Sequence, residues 1–355
     1  MTRIHACSLP SLAAALLCAG LLFSAPASHA KDETTPLTVD ASFNAASAAD
    51  KGFTIAEGKA LKGIKRVAVP VFAVEFIMAD NVNSQTSGFG SAGRSSSSLY
   101  YKLLGVGEPE FQAITDALYT RFLAELKASG VEVVEASQVA ASPIYRKLVA
   151  GGSPAPIKTD STMMMAPPGL GLYGFAKLGG GNSSSGRSIF SALSEVGSGF
   201  AAVGAIGDSI QLSTDLDASL LEVRMRVNFV QLSDDTRGFL GRLAGSASAS
   251  GKAFPSVDNV MMSVQSGPAR GSVTMKHTLS LDTAAFAEVR EKATTAGEVA
   301  GAVAVGLLRL AIGSKDSSSS KELEVVADPA RYKDVVGAGL GSAASMLVAR
   351  LKSER

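Results

Sequence analysis

Between Arg66 and Met78 the chain reads Arg-Val-Ala-Val-Pro-Val-Phe-Ala-Val-Glu-Phe-Ile-Met. A run so rich in β-branched side chains, and so nearly continuous in apolar ones, does not suit a half-exposed strand. It predicts a strand buried on both faces, inside a sheet that helices cover. Pro70 has no N–H to give to a ladder and therefore marks an edge or a bulge. Glu75 is the one acid inside the run.

A covering helix comes next along the chain. Phe111, Ile114, Leu118, Phe122 and Leu126 recur at three and four residues and lay an apolar stripe along a helix over Pro109–Ser129. Pro109 suits its first turn and Gly130 its end. Val131–Val134 reads as a short buried strand, and Ser137 as the cap of a helix reaching Tyr145–Leu148. Strand, helix, strand and helix in that order predict a parallel pairing closed by a right-handed crossover.

The second half alternates with period two. Leu221, Val223, Met225, Val227 and Phe229 stand against Glu222, Arg224, Arg226 and Asn228, giving a strand with one dry and one wet face. A turn at Asp234–Gly238, weaker strands over Arg242–Phe254 and Val260–Val264, a turn at Gly267–Gly271 and a strand over Val273–Leu281 make an antiparallel meander. Ala284–Ile312 and Pro329–Lys352 read as two C-terminal helices, with a loop at Ser317–Ser320 and a strand at Leu323–Val326 between them. Ala296–Gly313 carries Glu298 and Arg309 and is short for a membrane span, so a buried helix is expected there. The fold class is thus α/β to α+β: a mixed sheet with a parallel strand-helix-strand start, an antiparallel meander and two C-terminal helices.

Two stretches stand outside this pattern. Residues 31–63 are polar and Ala/Ser-rich, and predict an extension or a loosely tied first strand. Gly151–Gly186, with Pro154, Pro156, Pro167, Pro168, the triplet Met163-Met164-Met165 and the glycines from Gly169 on, predicts an irregular excursion that either forms a flap or binds something. A helix of small residues over Ile189–Ile210 comes after it. The expected segments are 1–30, 31–63, 64–150, 151–210, 211–283 and 284–355, with 64–355 as one domain.

Residues 1–30 have the form of a cleavable export signal: Arg3, an apolar core from Leu12 to Phe23, and Ser28-His29-Ala30 at the end. Leu17 before Cys18 is the wrong neighbour for lipid attachment. Cleavage after Ala30 would place the mature chain in the periplasm, with association with the outer membrane also open. It would remove both cysteines, and with them disulfides, thiolate nucleophiles and cysteine-zinc sites. It would also leave equal numbers of basic and acidic groups, so no long-range field draws nucleic acid or an anionic membrane, and no nucleic-acid partner is expected.

Several motifs resemble chemistry. Gly207-Asp208-Ser209-Ile210 is similar to the serine block of GDSL hydrolases, but that chemistry needs an Asp-x-x-His, and His277 is preceded by Thr274-Met275-Lys276. Asp208-Ser209 is therefore expected at a helix end or turn. Gly88-Phe89-Gly90-Ser91-Ala92-Gly93 meets the dinucleotide pattern without the following apolar helix and reads as a loop. Gly245 with Gly251-Lys252 falls one residue out of phosphate-loop spacing. His277 is expected on the apolar face of its strand as a hydrogen-bonded core residue. Met163, Met164 and Met165 read first as core or loop packing, and as the speculative surface for an apolar ligand or a partner in the alternative. No catalytic residue, cofactor or metal site is assigned.

Arg66-Val67-Ala68-Val69-Pro70-Val71-Phe72 and Gly130-Val131-Glu132-Val133-Val134, with the helix between them, resemble the opening unit of TolB amino-terminal domains and of curli secretion CsgG-like domains. The resemblance implies an envelope protein that works by contacts, and it carries no catalytic residue across. The functional expectation is a non-catalytic exported protein serving envelope assembly, scaffolding or transport, with an envelope protein or an apolar ligand as partner and homo-oligomerisation open. A carrier of an apolar small molecule is one alternative. Others are an oligomeric outer-membrane pore, using hairpins around Leu221–Phe229 and Val273–Leu281, and an esterase built on Ser209.

Overall fold

The computed structural model describes residues 35–87, 94–173, 200–233, 247–292, 302–303, 307–312 and 318–355. In chain order, β1 (Leu37–Thr38), α1 (Ala45–Gly52) and β2 (Phe53–Ala56) precede the twelve-residue β3 (Arg66–Ile77). The antiparallel strands β4 (Ala79–Ser87) and β5 (Arg94–Leu104) lead to α2 (Glu108–Ala128), β6 (Glu132–Val133), α3 (Ala136–Ala141) and α4 (Pro143–Gly151). Next come β7 (Ile157–Lys158), β8 (Thr162–Met165), α5 (Phe200–Asp215), β9 (Ser219–Ser233) and β10 (Ala247–Ser266). β11 (Ala269–Met275), β12 (Leu279–Ser280), β13 (Phe286–Glu291), β14 (Ala302–Val303), β15 (Leu307–Ile312), β16 (Ser318–Ala327) and α6 (Pro329–Glu354) complete the described elements.

The fold class is mixed α/β. An eleven-stranded sheet runs β1-β12-β10-β9-β3-β8-β7, with β2, β6, β11 and β15 joined to it off that path. A five-stranded sheet runs β14-β13-β16-β5-β4. β3 and β6 pair in parallel, as the strand-helix-strand reading requires, and β9, β10 and β11 form the antiparallel meander. β3 is internal, between β9 on one side and β6 and β8 on the other, so Pro70 is not at an edge. The ladder absorbs it as a register shift between Ala68 and Val71.

The two faces of the large sheet differ. On one, Phe72, Val74 and Phe76 of β3 sit in register with Val223, Met225 and Val227 of β9. Helices α2 and α6 cover this face. Phe76 stacks on Phe111 with ring centroids 4.3 Å apart, Phe72 meets Tyr119 and Phe122, and Phe111 reaches Tyr332 of α6. The stripe read from the sequence of α2 is the buried one. Both helices begin on the sequence's own caps: Glu110 accepts from the Gly107 N–H at 2.9 Å, and Asp328 from the Arg331 N–H at 3.0 Å. On the other face, Ala73 and Glu75 are in register with Arg224 and Arg226. There the smaller sheet approaches through β4 and β5. Gly251 of β10 makes this approach possible, since a Cβ at that position would stand 2.6 Å from the Tyr101 hydroxyl.

Four expectations need correction. Of the two readings of the N-terminal segment, the extension fails and the first strand is too loose for residues 35–61: β1 pairs with β12, β2 with β11, and Ala49, Phe53, Ala60 and Leu61 are buried. Ser137 caps nothing; α3 starts from Glu135, and Ser142 caps α4 by accepting the Tyr145 N–H at 3.3 Å. The described parts of Ala284–Ile312 are β13, β14 and β15 rather than a helix, so only one of the two C-terminal helices, α6, is present among the described residues. Val, Leu and Ile alternating with Gly and Ala satisfy a strand as readily as a small-residue helix, and here β10 and β16 supply the ladder partners. Ser318–Ser320, expected as loop, starts β16 in parallel register with Ser96–Ser98 of β5.

Candidate functional site: an apolar cleft beside a charged sheet face

Ser142 and Pro143 start α4 at a fixed place, and the helix then presents Tyr145 and Leu148 to the interior and Arg146, Val149 and Ala150 to a cleft. The opposite wall is the segment Ala166-Pro167-Pro168-Gly169-Leu170-Gly171, with Pro154 and Ala155 at one end and Gln112 of α2 behind it. The space between them is about 600 Å³, within the range of small-molecule sites, and its lining is predominantly apolar.

Tyr145 fastens the two walls. Its hydroxyl accepts the Gly171 N–H at 2.9 Å and donates to the Pro70 carbonyl at 3.1 Å, tying the cleft to the bulge in β3. Burial pushes the Tyr145 phenol above its ordinary pKa, against a smaller opposing effect of the Gly171 N–H, so the proton needed for the Pro70 bond is retained at neutral pH. Ser153 donates to Leu172 O at 3.0 Å, and Gln112 Nε2 to Ala166 O at 3.0 Å. Gly171 is required by closeness, because a Cβ there would lie 2.5 Å from both γ-carbons of Val149.

Tyr145 packs edge-on against Tyr173, centroids 6.0 Å apart, and Tyr173 leads to the charged face. There Arg226 grips Asp258 through two bonds of 2.6 and 3.0 Å, and Asn228 adds a third to Asp258 at 2.6 Å. A bulge in β10 between Asp258 and Met261, with Asn259 at φ 50°, lies just beyond this carboxylate. Arg224 lies 3.7 Å from Glu222. Burial lowers the pKa of Arg224, and Glu222 and Tyr173 oppose it. For Arg226 burial acts downward too, but Asp258, Glu75 and Asp80 outweigh it and the net shift is upward. Asp80, on β4, is raised by burial, which exceeds the counter-effects of the Asn81 N–H and Arg226. Tyr173 is pushed well up by burial, with Glu222 adding. The face thus holds two arginines among four carboxylates, with Arg226 paired to Asp258 within the larger sheet and Asp80 of the smaller sheet acting on the same guanidinium. Among the described residues no group of three His, Cys, Asp or Glu stands together as a metal ion would need.

The residues singled out in the sequence are scattered. Met163, Met164 and Met165 form β8, paired with Phe76, Glu75 and Val74, and are 2%, 0% and 1% exposed. They are core rather than surface, because β8 covers the flank of β3 and no ligand reaches their side chains in this conformation. Asp208 and Ser209 are inside α5, not at its end, and Asp208 pairs with Lys147 of α4 at 2.7 Å. α5 reaches the β10–β11 turn, where Ser213 Oγ accepts the Gly267 N–H at 3.2 Å. His277 lies past the other end of seven-residue β11, a strand about 23 Å long, so its imidazole is remote from Ser209. His277 is in a bend rather than on a dry strand face, its Nδ1 3.2 Å from Thr35 O. Gly251-Lys252 is strand, and Lys252 lies over the Phe254 ring. Gly88–Gly93 and Gly245 fall outside the described residues; the strands flanking Gly88–Gly93 pair Ser87 with Arg94. Gln112, Ala140, Tyr145, Arg146 and Val149 were not anticipated as lining, since each reads as an ordinary helix position. The Pro/Gly composition of the facing wall was the legible sign.

In comparisons with known proteins, no family model matches the chain, and neither a curated protein nor a solved structure does.

Proposed function

We propose that the chain is an exported binding protein of the cell envelope, acting through contacts rather than bond-making, and that it holds an apolar small molecule between α4 and the Ala166–Gly171 wall. The observation that carries this is the cleft of about 600 Å³, lined mainly by Pro, Ala, Val, Leu and Gly, with walls that the Tyr145 bonds tie together. The form of residues 1–30 and the envelope-domain resemblance support the compartment. The carrier reading is preferred to the pore because β9 lies between β3 and β10, and the side chains of Leu221, Val223, Met225 and Val227 are buried in the helix-covered core. It is preferred to the esterase because the imidazole of His277 is remote from Ser209. Ala150, exposed on the cleft rim, allows a direct test. Protein purified from its own periplasm and extracted with organic solvent is expected to release an apolar compound in near-stoichiometric amount by mass spectrometry. The Ala150→Trp variant, its cleft filled, is expected to release none. Equal recovery from both proteins, or none from either, would reject the cleft as the site.

A further inference from the structure

The cleft has one charged lining residue among those described, Arg146, and no acidic one. Its neighbours are spoken for. Lys147, one position on, is paired with Asp208 at 2.7 Å. Gln112 spends its amide nitrogen on Asp116 Oδ1 and on the Ala166 carbonyl, at 2.7 and 3.0 Å. The Gly171 N–H is taken by Tyr145. Arg146 itself is exposed at the mouth and has no ion pair among the described residues. A guanidinium is a planar fork of donors with no acceptor, and a carboxylate matches that fork in geometry and charge.

Resting on the reading of the cleft as an apolar site, we propose that its ligand is an anionic amphiphile: an apolar chain or ring system lying along Val149, Ala150, Pro167 and Leu170, with a single carboxylate at the mouth on Arg146. The apolar body supplies most of the affinity through burial, and the ion pair sets orientation and selects against neutral and cationic analogues. Because Arg146 faces water, the charge preference is modest, about fivefold to tenfold.

Isothermal titration of the full chain with decanoate, decanol and decyltrimethylammonium separates the possibilities. Decanoate is expected to bind about fivefold to tenfold more tightly than decanol, with the cation weakest. Arg146→Gln is expected to bring the affinities of decanoate and decanol together. Arg146→Glu is expected to favour the cation. Both changes are at an exposed position, and an unchanged Tm together with retained decanol binding shows that the fold and the cleft persist. Equal binding of decanoate and decanol to the unaltered protein overturns the anionic end while leaving the apolar site standing. Absence of binding by all three, or full decanoate affinity in Ala150→Trp, overturns both.

Discussion

Tyr145→Phe removes one oxygen and keeps the ring, so its effect isolates the fastening of the cleft. The oxygen makes two bonds, accepting from the Gly171 N–H at 2.9 Å and donating to the Pro70 carbonyl at 3.1 Å, and both backbone partners are buried. Each bond contributes about 1 kcal/mol net, while each buried group left without a partner costs about 1–3 kcal/mol. The ring's contact with Tyr173 survives the change, so the loss expected is about 2–4 kcal/mol, read as a lowered urea midpoint at constant slope. The opening should also be local, with amide exchange at Gly171 accelerating more than at core strand positions such as Val223. Tyr173→Phe is the internal control of opposite sign: that hydroxyl is buried with no hydrogen-bond partner among the described residues, so its removal should cost nothing and raise stability by up to about 1–3 kcal/mol. If Tyr145→Phe costs under about 0.5 kcal/mol, or leaves Gly171 exchange unchanged, the hydroxyl does not hold the wall.

Phe76→Ala, which removes a fully buried ring stacked on Phe111, should destabilise by about 3–5 kcal/mol in chemical denaturation; a loss below about 1.5 kcal/mol would mean that β3 and α2 do not share one core. Gly171→Ala should cost about 1–3 kcal/mol by forcing Val149 aside, and Val149→Ala in the same chain should recover most of it; two additive losses would contradict the close approach. Burial raises the folded-state pKa of Asp80, so its contribution is favourable below the unfolded carboxylate pKa, about 4, and is lost as pH rises through the folded value. Asp80→Asn should therefore raise Tm at pH 7, with the advantage shrinking towards pH 4, and an advantage that grows on acidification would refute it.

The elements legible in the sequence were those whose burial follows one period. β3 announces itself by continuous apolarity, α2 by its stripe from Phe111 to Leu126, and β9 by alternation. Segments built from Gly, Ala and scattered Val were not, because small residues fit either a helix or a ladder, and only the pairing of β15 with β10 decides between them. Glu75 was the available sign of the charged face: an acid inside a run of buried strand residues needs a cation across the sheet, and Arg226 of β9 stands there in register. The cleft was the least visible feature. It draws on α2, α3, α4 and the Ala166–Gly171 wall, and no local pattern records that these meet. The Met163–Met165 triplet drew attention to the right excursion but to its buried strand rather than to the Pro/Gly segment beside it.

The parallel ladder between β3 and β9 sets an order of events for a polypeptide emerging end first. Val67 waits for Ser219, about 150 residues later, which at roughly 5–20 residues per second is on the order of ten seconds. Until then a twelve-residue sticky segment lacks one flank of its sheet. Closure of the larger sheet therefore follows the arrival of β9, and until then β3 can pair only on the side that β6 and β8 occupy.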